Sequence, residues 1–217
     1  MRRHIVCLGD SNTHGYSPDA PLSRFGEEER WTCLLQQALG PDYLVLEEGL
    51  PGRTTVFEDP VEEGMPALPY LYPCLKSHAP VDLLIIMLGT NDTKERLNAN
   101  ACAIGKGLAR LVRRAQTIDC WRHPEAPNIL IIAPLAIGKV VERSPVAQEM
   151  GAGCVEKSLR LPGQFRAVAK ELGCSFVDAN RLGLEQNQTD YMHLTRESHQ
   201  LLARHLAQLI PTIVDLP

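Results

Sequence analysis

Five short apolar runs, rich in isoleucine, valine and leucine, alternate along the chain with longer segments in which apolar residues recur every three or four positions. A short apolar run bounded by polar residues is typical of a strand buried on both faces of a parallel sheet. The runs predict five strands, at residues 5–8, 43–46, 83–88, 129–132 and 175–177.

The segments between these runs have the spacing of amphipathic helices. In the clearest one, Ala101, Ile104, Leu108 and Leu111 form an apolar stripe, with lysine and arginine among the positions between them. The pattern predicts five helices, at residues 30–39, 66–78, 98–117, 157–172 and 195–210. Because alternating strands and helices require crossover connections, we expect a three-layer, doubly wound α/β fold with five parallel strands.

The length of 217 residues favours a single domain over residues 1–217. Residues 134–155 depart from the short connections of such a domain, since they are irregular and contain Pro134, Pro145 and three glycines. Long irregular segments in compact domains often serve as lids or binding loops. We therefore expect residues 134–155 to form a lid or a substrate loop.

The chain is slightly acidic, with 22 basic and 26 acidic residues and a net charge of −4. Neither nucleic acid nor an anionic membrane surface is therefore an expected partner. Seven cysteines are scattered without C-x-x-C spacing, and the first apolar run is too short for a secretory signal. These features predict a cytoplasmic protein, and no stretch has the length of a membrane span.

Candidate metal ligands are few in the sequence. Cys120 and His123 form one close pair without a second, while His199 and His205, six positions apart on a predicted helix, are expected to be surface residues on different sides. A structural metal site usually needs four converging ligands, and a catalytic one needs three. The sequence therefore predicts no metal site.

The first strand is followed by a polar turn, Gly9-Asp10-Ser11-Asn12-Thr13-His14-Gly15. In a doubly wound fold, ligands bind beyond the carboxyl ends of the strands, so a serine here can present its hydroxyl to a cleft. The turn lacks the glycine spacing of nucleotide-binding loops. A helix cap or an anion-binding nest is the alternative interpretation of this serine.

Two further turns carry groups that could donate hydrogen bonds into the same cleft. Gly52 follows the second strand, where a glycine lets the backbone approach a substrate closely, although a plain turn explains it equally well. Asn91 follows the third strand and could contribute its side-chain amide, with capping of the next helix as the alternative.

Asp190 and His193 lie in a polar loop after the fifth strand. A carboxylate three residues before a histidine can hold one imidazole nitrogen and leave the other free to accept a proton. Either residue alone is more often solvated. A nucleophile, two donors and an oriented base after separate strands of one parallel sheet, however, indicate a catalytic site.

Taken together, Gly9-Asp10-Ser11, Gly52, Gly89-Thr90-Asn91-Asp92 and Asp190-x-x-His193 resemble the four sequence blocks of the SGNH (GDSL-type) hydrolases, in order and across essentially the whole chain. Residues 47–55 and 85–94 resemble more narrowly the bacterial arylesterase/acyltransferase branch of that family. The resemblance implies a flavodoxin-like architecture.

The resemblance also implies the roles of the site residues. Ser11 would be the nucleophile, His193 the general base and Asp190 its orienter, while the N–H groups of Ser11 and Gly52 and the amide of Asn91 would hold the oxyanion. The implied activity is hydrolysis of carboxylic esters through an acyl-enzyme, without a cofactor. A sugar-ester deacetylase, a thioesterase or a lysophospholipase with the same residues, or a noncatalytic binding domain, are the alternatives.

Polar and bulky side chains on the same turns are candidate substrate contacts: Asp10, Asn12, His14, Lys94 and Met192. Asn12, His14 and Tyr16 crowd the serine turn and predict an acyl pocket that suits short, acetyl-like groups. A small-molecule ester is the expected partner, and the sequence leaves a homo-oligomer open.

Overall fold

The computed structural model describes residues 1–20 and 23–214. Within these ranges, five parallel strands form one sheet in the order β2-β1-β3-β4-β5. The strands are β1 (Arg3–Gly9), β2 (Tyr43–Gly49), β3 (Leu83–Met87), β4 (Ile129–Ala133) and β5 (Ser175–Asp178). Each predicted run coincides with one of these strands to within a few residues, and the predicted fold class is confirmed.

Helices cover both faces of the sheet. In the described part of the chain they are α1 (Ser11–His14), α2 (Trp31–Leu39), α3 (Ala67–Ser77), α4 (Ala101–Gln116), α5 (Ala147–Met150), α6 (Cys154–Leu172) and α7 (Arg196–Val214). The five predicted helices correspond to α2, α3, α4, α6 and α7, and the short helices α1 and α5 were not predicted. None of the helices in the described ranges is both long and apolar enough to cross a bilayer.

The alternation of side chains along the central strands builds two cores. In β1, Val6 and Leu8 pack with α3, α4 and α6, whereas Ile5 and Cys7 pack with α2 and α7 on the other face. Successive strand residues point to opposite faces, so a strand between two helical layers must be apolar at every position. This explains the unbroken apolar runs in the sequence.

The strand order reverses between β1 and β3, which lie side by side at the centre of the sheet. Connections from the carboxyl ends of these two strands leave in opposite directions and open a crevice, the usual ligand position in such folds. Residues 134–155 reach this end of the sheet, where Val141 and Met150 pack with Met192 in a small third core. The crevice is thereby walled on one side.

His199 departs from the expected surface position, because it is fully buried in α7. The N–H of Trp31 donates to its Nδ1 at 3.1 Å, and the ring of Phe25 contacts its edge. Burial lowers the pKa of His199 to about 3, so the ring is neutral and serves to join α2 to α7.

Candidate active site

Ser11 is the first residue of the one-turn helix α1, directly after β1. The carboxylate of Asp10 caps this turn by accepting the N–H of Asn12 at 3.0 Å, and Gly15, with φ of +84°, ends it. The first N–H groups of a helix have no partners within the helix. The N–H groups of Asn12, Thr13 and His14 donate to Asp10, so the donor left beside the serine hydroxyl is the N–H of Ser11 itself.

The loop after β5 brings His193 to this serine. Nε2 of His193 lies 2.8 Å from Ser11 Oγ, and its Nδ1 lies 2.7 Å from Asp190 Oδ2. All three side chains are buried. The structure thus joins the three predicted residues in one continuous chain of hydrogen bonds, although Ser11 and His193 are 182 positions apart.

The environment of Asp190 keeps its carboxyl group ionised. Burial alone would raise the pKa of Asp190, but the hydrogen bond and charge of His193, with the N–H groups of His193 and Met192, outweigh it and hold the pKa below its ordinary value. An ionised carboxylate only accepts hydrogen bonds, so Nδ1 of His193 carries the proton. Nε2 is then free to accept the proton of the Ser11 hydroxyl.

Asn187 organises the loop that presents this pair. Its Oδ1 accepts the N–H groups of Thr189 and Asp190 at 2.9 Å each, and its Nδ2 donates to Asp190 Oδ1 and to the carbonyl of His193 at 3.0 Å each. Sequence analysis missed Asn187, because an asparagine in a polar loop looks like any turn residue. Tyr16 packs its ring against His193, with centroids 4.4 Å apart.

Gly52 and Asn91 border the same cavity as Ser11. Gly52 has φ of +86°, a backbone conformation that favours glycine, and a Cβ there would also require the ends of the Glu62 and Met65 side chains to move. Asn91 donates from Nδ2 to the carbonyl of Arg53 at 3.2 Å, and an amide has a second hydrogen to donate. Gly52 and Asn91 therefore lie with Ser11 on the wall of one cavity.

Asp92 connects the segment that contains Asn91 to the turn that contains Gly52. Its carboxylate accepts the N–H of Thr55 at 3.0 and 3.1 Å, and the Thr55 hydroxyl also donates to it. Burial raises the pKa of Asp92 to about 6, even though the donors of Thr55 act in the opposite direction. The contact fixes the turn after β2, which contains Gly52, against the segment that contains Asn91.

The cavity beside Ser11 has a volume of about 270 Å³. One part of its wall is apolar and another is charged. Its lining consists of Ser11, Tyr16, Pro51, Gly52, Glu62, Asn91, Lys94, Val146, Glu149, Met150, Met192 and His193. Three of these residues belong to 134–155, so this segment borders the site as a wall.

The charged wall is a network of paired side chains. Lys94 Nζ, which is buried, lies 2.8 Å from Glu149 and 3.5 Å from Asp59. Arg96 contacts the same two carboxylates at 2.6 and 2.7 Å, and Glu62 lies within 4 Å of both cations. Three carboxylates face two cations, which leaves the wall with one net negative charge.

The candidate substrate contacts divide into two groups. Lys94 and Met192 line the cavity, whereas Asp10, Asn12 and His14 do not. Asp10 lies beneath the serine, where burial raises its pKa to about 6, and Asn12 accepts the N–H of Leu194 at 2.9 Å. These two side chains support the turn, because their polar groups are directed to the backbone.

His14 belongs to a different environment from the cavity. Burial and the charges of Arg24 and Arg30 lower the pKa of its imidazole, and His14 does not line the cavity. Sequence analysis missed Glu62 and Glu149, since acidic residues in irregular segments carry no pattern that indicates a cavity wall.

Comparison with known proteins agrees with this geometry. Residues 7–201 match the model of the GDSL-like lipase/acylhydrolase family. The native aryl esterase of M. smegmatis is similar, with 34% identity, a TM-score of 0.89 and coverage of 97% of this chain and 99% of that one. Est24, a carbohydrate acetylesterase from Sinorhizobium meliloti, has 33% identity, the same TM-score and the same coverage.

A further carbohydrate acetylesterase family member from Sinorhizobium meliloti is 36% identical, with a TM-score of 0.87 and coverage of 99% of this chain and 100% of that one. Comparison with curated proteins finds no match. The family match spans most of the chain, and the fold and the arrangement of the site agree with it. The chain therefore belongs to the GDSL-like (SGNH) hydrolase family and is a carboxylic ester hydrolase.

Proposed function

We propose that the protein is a serine esterase that removes short, acetyl-like acyl groups from small polar esters. The observation that carries the proposal is the hydrogen-bond chain from Asp190 through His193 to Ser11, at the wall of a small cavity. In this proposal Ser11 is the nucleophile, His193 is the general base and Asp190 orients it.

The reaction proceeds through an acyl-enzyme. As Ser11 Oγ attacks the ester carbonyl carbon, Nε2 of His193 takes its proton, and the oxyanion accepts hydrogen bonds from Asn91 and from the N–H groups of Ser11 and Gly52. His193 then returns the proton to the departing alcohol. Water, deprotonated by His193, attacks the acyl-serine and releases the carboxylic acid.

The size and charge of the cavity support a small, uncharged or hydroxyl-rich substrate. A volume of about 270 Å³ lies at the lower end of small-molecule sites, and it must hold both the acyl group and part of the alcohol. The net negative wall disfavours anionic alcohols and thiols such as coenzyme A. Two structural neighbours are described as carbohydrate acetylesterases, which agrees with acetylated sugars as substrates.

Measurement of kcat/KM for 4-nitrophenyl esters from acetate to octanoate tests the acyl size. We expect the maximum at acetyl or propionyl. Each buried methylene contributes about 0.8 kcal/mol in an apolar channel, so an enzyme for long chains would show kcat/KM rising over several carbons. A maximum at six or more carbons would contradict the proposal.

Acetylated sugars and acetyl-CoA test the leaving group. We expect the sugars to be hydrolysed with the higher kcat/KM. Glu62→Gln removes one negative charge from the rim and should raise kcat/KM for acetyl-CoA by roughly threefold to tenfold, with little change for the neutral sugars. An equal change for both substrates would show that the wall does not select by charge.

A further inference from the structure

A second group of converging polar side chains lies outside the cavity, between β2 and α3. Cys74 and His78 are four positions apart at the end of α3, so they lie on the same face of the helix. Glu48 of β2 meets them from the sheet. One ligand atom from each residue lies within 4.8 Å of the other two.

The carboxylate of Glu48 is already oriented toward this point. Its Oε1 lies 2.5 Å from His78 Nε2, and its Oε2 accepts the hydroxyl of Tyr70 at 2.6 Å. Tyr70 precedes Cys74 by four positions and therefore lies on the same face of α3. Outer hydrogen bonds of this kind fix ligand orientation in metal sites.

The charges around the group decide whether a cation can bind. Cys74 is buried, and a metal ion that binds its sulfur displaces the thiol proton. The guanidinium of Arg53, 4.8 Å from the centre of the Tyr70 ring, opposes a cation. The Glu48 carboxylate and the Cys74 thiolate together supply two negative charges, which match a dication.

We propose that Glu48, Cys74 and His78 form a binding site for a zinc-like transition-metal dication. A thiolate, an imidazole and a carboxylate together suit Zn²⁺, whereas Mg²⁺ and Ca²⁺ prefer oxygen ligands alone. Water or the Tyr70 hydroxyl completes four-coordination. The bound ion joins α3 to β2 and takes no part in ester hydrolysis.

Sequence analysis paired Cys120 with His123 and did not consider Cys74 with His78. The spacing of four in a predicted helix was the available signal. The third ligand could not be foreseen, because nothing in the sequence places the end of β2 beside the end of α3.

Titration of the metal-free, full-length protein with Co²⁺ tests the site, since a cobalt–thiolate bond gives a charge-transfer absorption band. We expect one Co²⁺ per chain, a thiolate band and its loss on addition of Zn²⁺. Cys74→Ser should abolish the band. His78→Gln removes one of the three proposed ligands and should weaken Co²⁺ binding by at least about tenfold. Even changes to the outer partners of metal ligands lower metal affinity by about 10-fold to 100-fold.

Matched controls use an exposed thiol and an exposed imidazole elsewhere. Cys102→Ser and His123→Gln should bind Co²⁺ as the wild type does, since both residues are exposed. The site is overturned if the wild type shows no thiolate band, or if the band survives Cys74→Ser. Should Cys74→Ser fail to fold, undiminished Co²⁺ binding by His78→Gln overturns the site.

Discussion

Asp190 and Asp92 are two buried aspartates near the cavity. Their side chains are almost equally inaccessible to solvent, but their pKa values are shifted in opposite directions. Asp190 is 2% exposed and has a pKa below the ordinary value, whereas Asp92 is 0% exposed and has a pKa of about 6. Burial pushes the pKa of both carboxyl groups upward. Both side chains are almost inaccessible to solvent, but Asp92 lies deeper in the protein than Asp190, so the depth of burial and the partners both contribute to the difference.

Asp190 receives the imidazole of His193 and hydrogen bonds from the 187–193 loop, whereas Asp92 receives neutral donors from Thr55 and from its own backbone and lies near the charge of Asp10. One region maintains a buried negative charge beside His193, which in the proposed mechanism is the base that becomes cationic. The other uses a carboxyl group as a brace between two turns. Burial of an aspartate near a cavity therefore does not indicate its role, and its donors do.

The largest expected effect is that of Ser11→Ala, which removes the proposed nucleophile at the end of the hydrogen-bond chain from Asp190. Ester hydrolysis should fall by more than about 10⁴-fold, because only binding and oxyanion contacts remain. The assay is kcat with 4-nitrophenyl acetate, with circular dichroism as the control for folding. A folded variant that retains more than a few per cent of the activity would exclude Ser11 as the nucleophile.

A matched pair of substitutions sharpens the comparison directly. Asp190→Asn should lower kcat by roughly 10³-fold, since a neutral amide neither fixes the tautomer of His193 nor stabilises its cation. Asp92→Asn should change kcat by less than about tenfold at pH 8, because Thr55 can still donate to the amide oxygen. Equal losses in the two variants would mean that the distinction between base partner and brace is wrong.

Asn91→Ala tests the proposed oxyanion donor on the segment that Asp92 holds in position. Loss of one oxyanion donor should lower kcat by about 10² to 10³, with KM little changed, because the hydrogen bond strengthens only in the transition state. Kinetics over a full range of ester concentration separate the two constants. A rise in KM alone would place Asn91 in ground-state binding.

The sequence predicted the parts of the site whose positions follow from a local rule. Ser11, Gly52, Asn91 and His193 come directly after strands or before a helix, and the carboxyl ends of parallel strands meet at one edge of a sheet. The five strands were predictable because a strand between two helical layers must be apolar throughout.

The remaining features depend on contacts between distant segments. In the charged wall, Lys94 contacts both Asp59 and Glu149. The two carboxylates lie in irregular segments, and the sequence of such segments has no periodicity from which these contacts could be predicted. Polar residues near Ser11 in sequence were predicted to contact substrate, yet Asn12 is directed toward the backbone of Leu194. A side chain in a one-turn helix can point away from the serine beside it, which proximity in sequence does not reveal.

The smallest effect on activity, but a distinct effect on stability, is expected from Asp92→Asn as pH changes. The ordinary pKa of 3.8 describes the carboxyl group in the unfolded chain, and the folded value is about 6, so the folded protein holds this proton more tightly. The stabilising contribution is complete below about pH 4 and is lost as the pH rises through 6. An amide does not ionise in this pH range, so the variant does not lose this stabilisation. Between pH 4 and pH 8, its free energy of unfolding should therefore rise relative to that of the wild type by up to about 3 kcal/mol. Urea unfolding at both pH values measures the difference, and Asp119→Asn, at an exposed carboxylate, controls for the removal of a charge. A difference between variant and wild type that does not change with pH would show that the folded protein does not raise the pKa of Asp92, and a change in the opposite direction would show that its carboxylate is stabilised as that of Asp190 is.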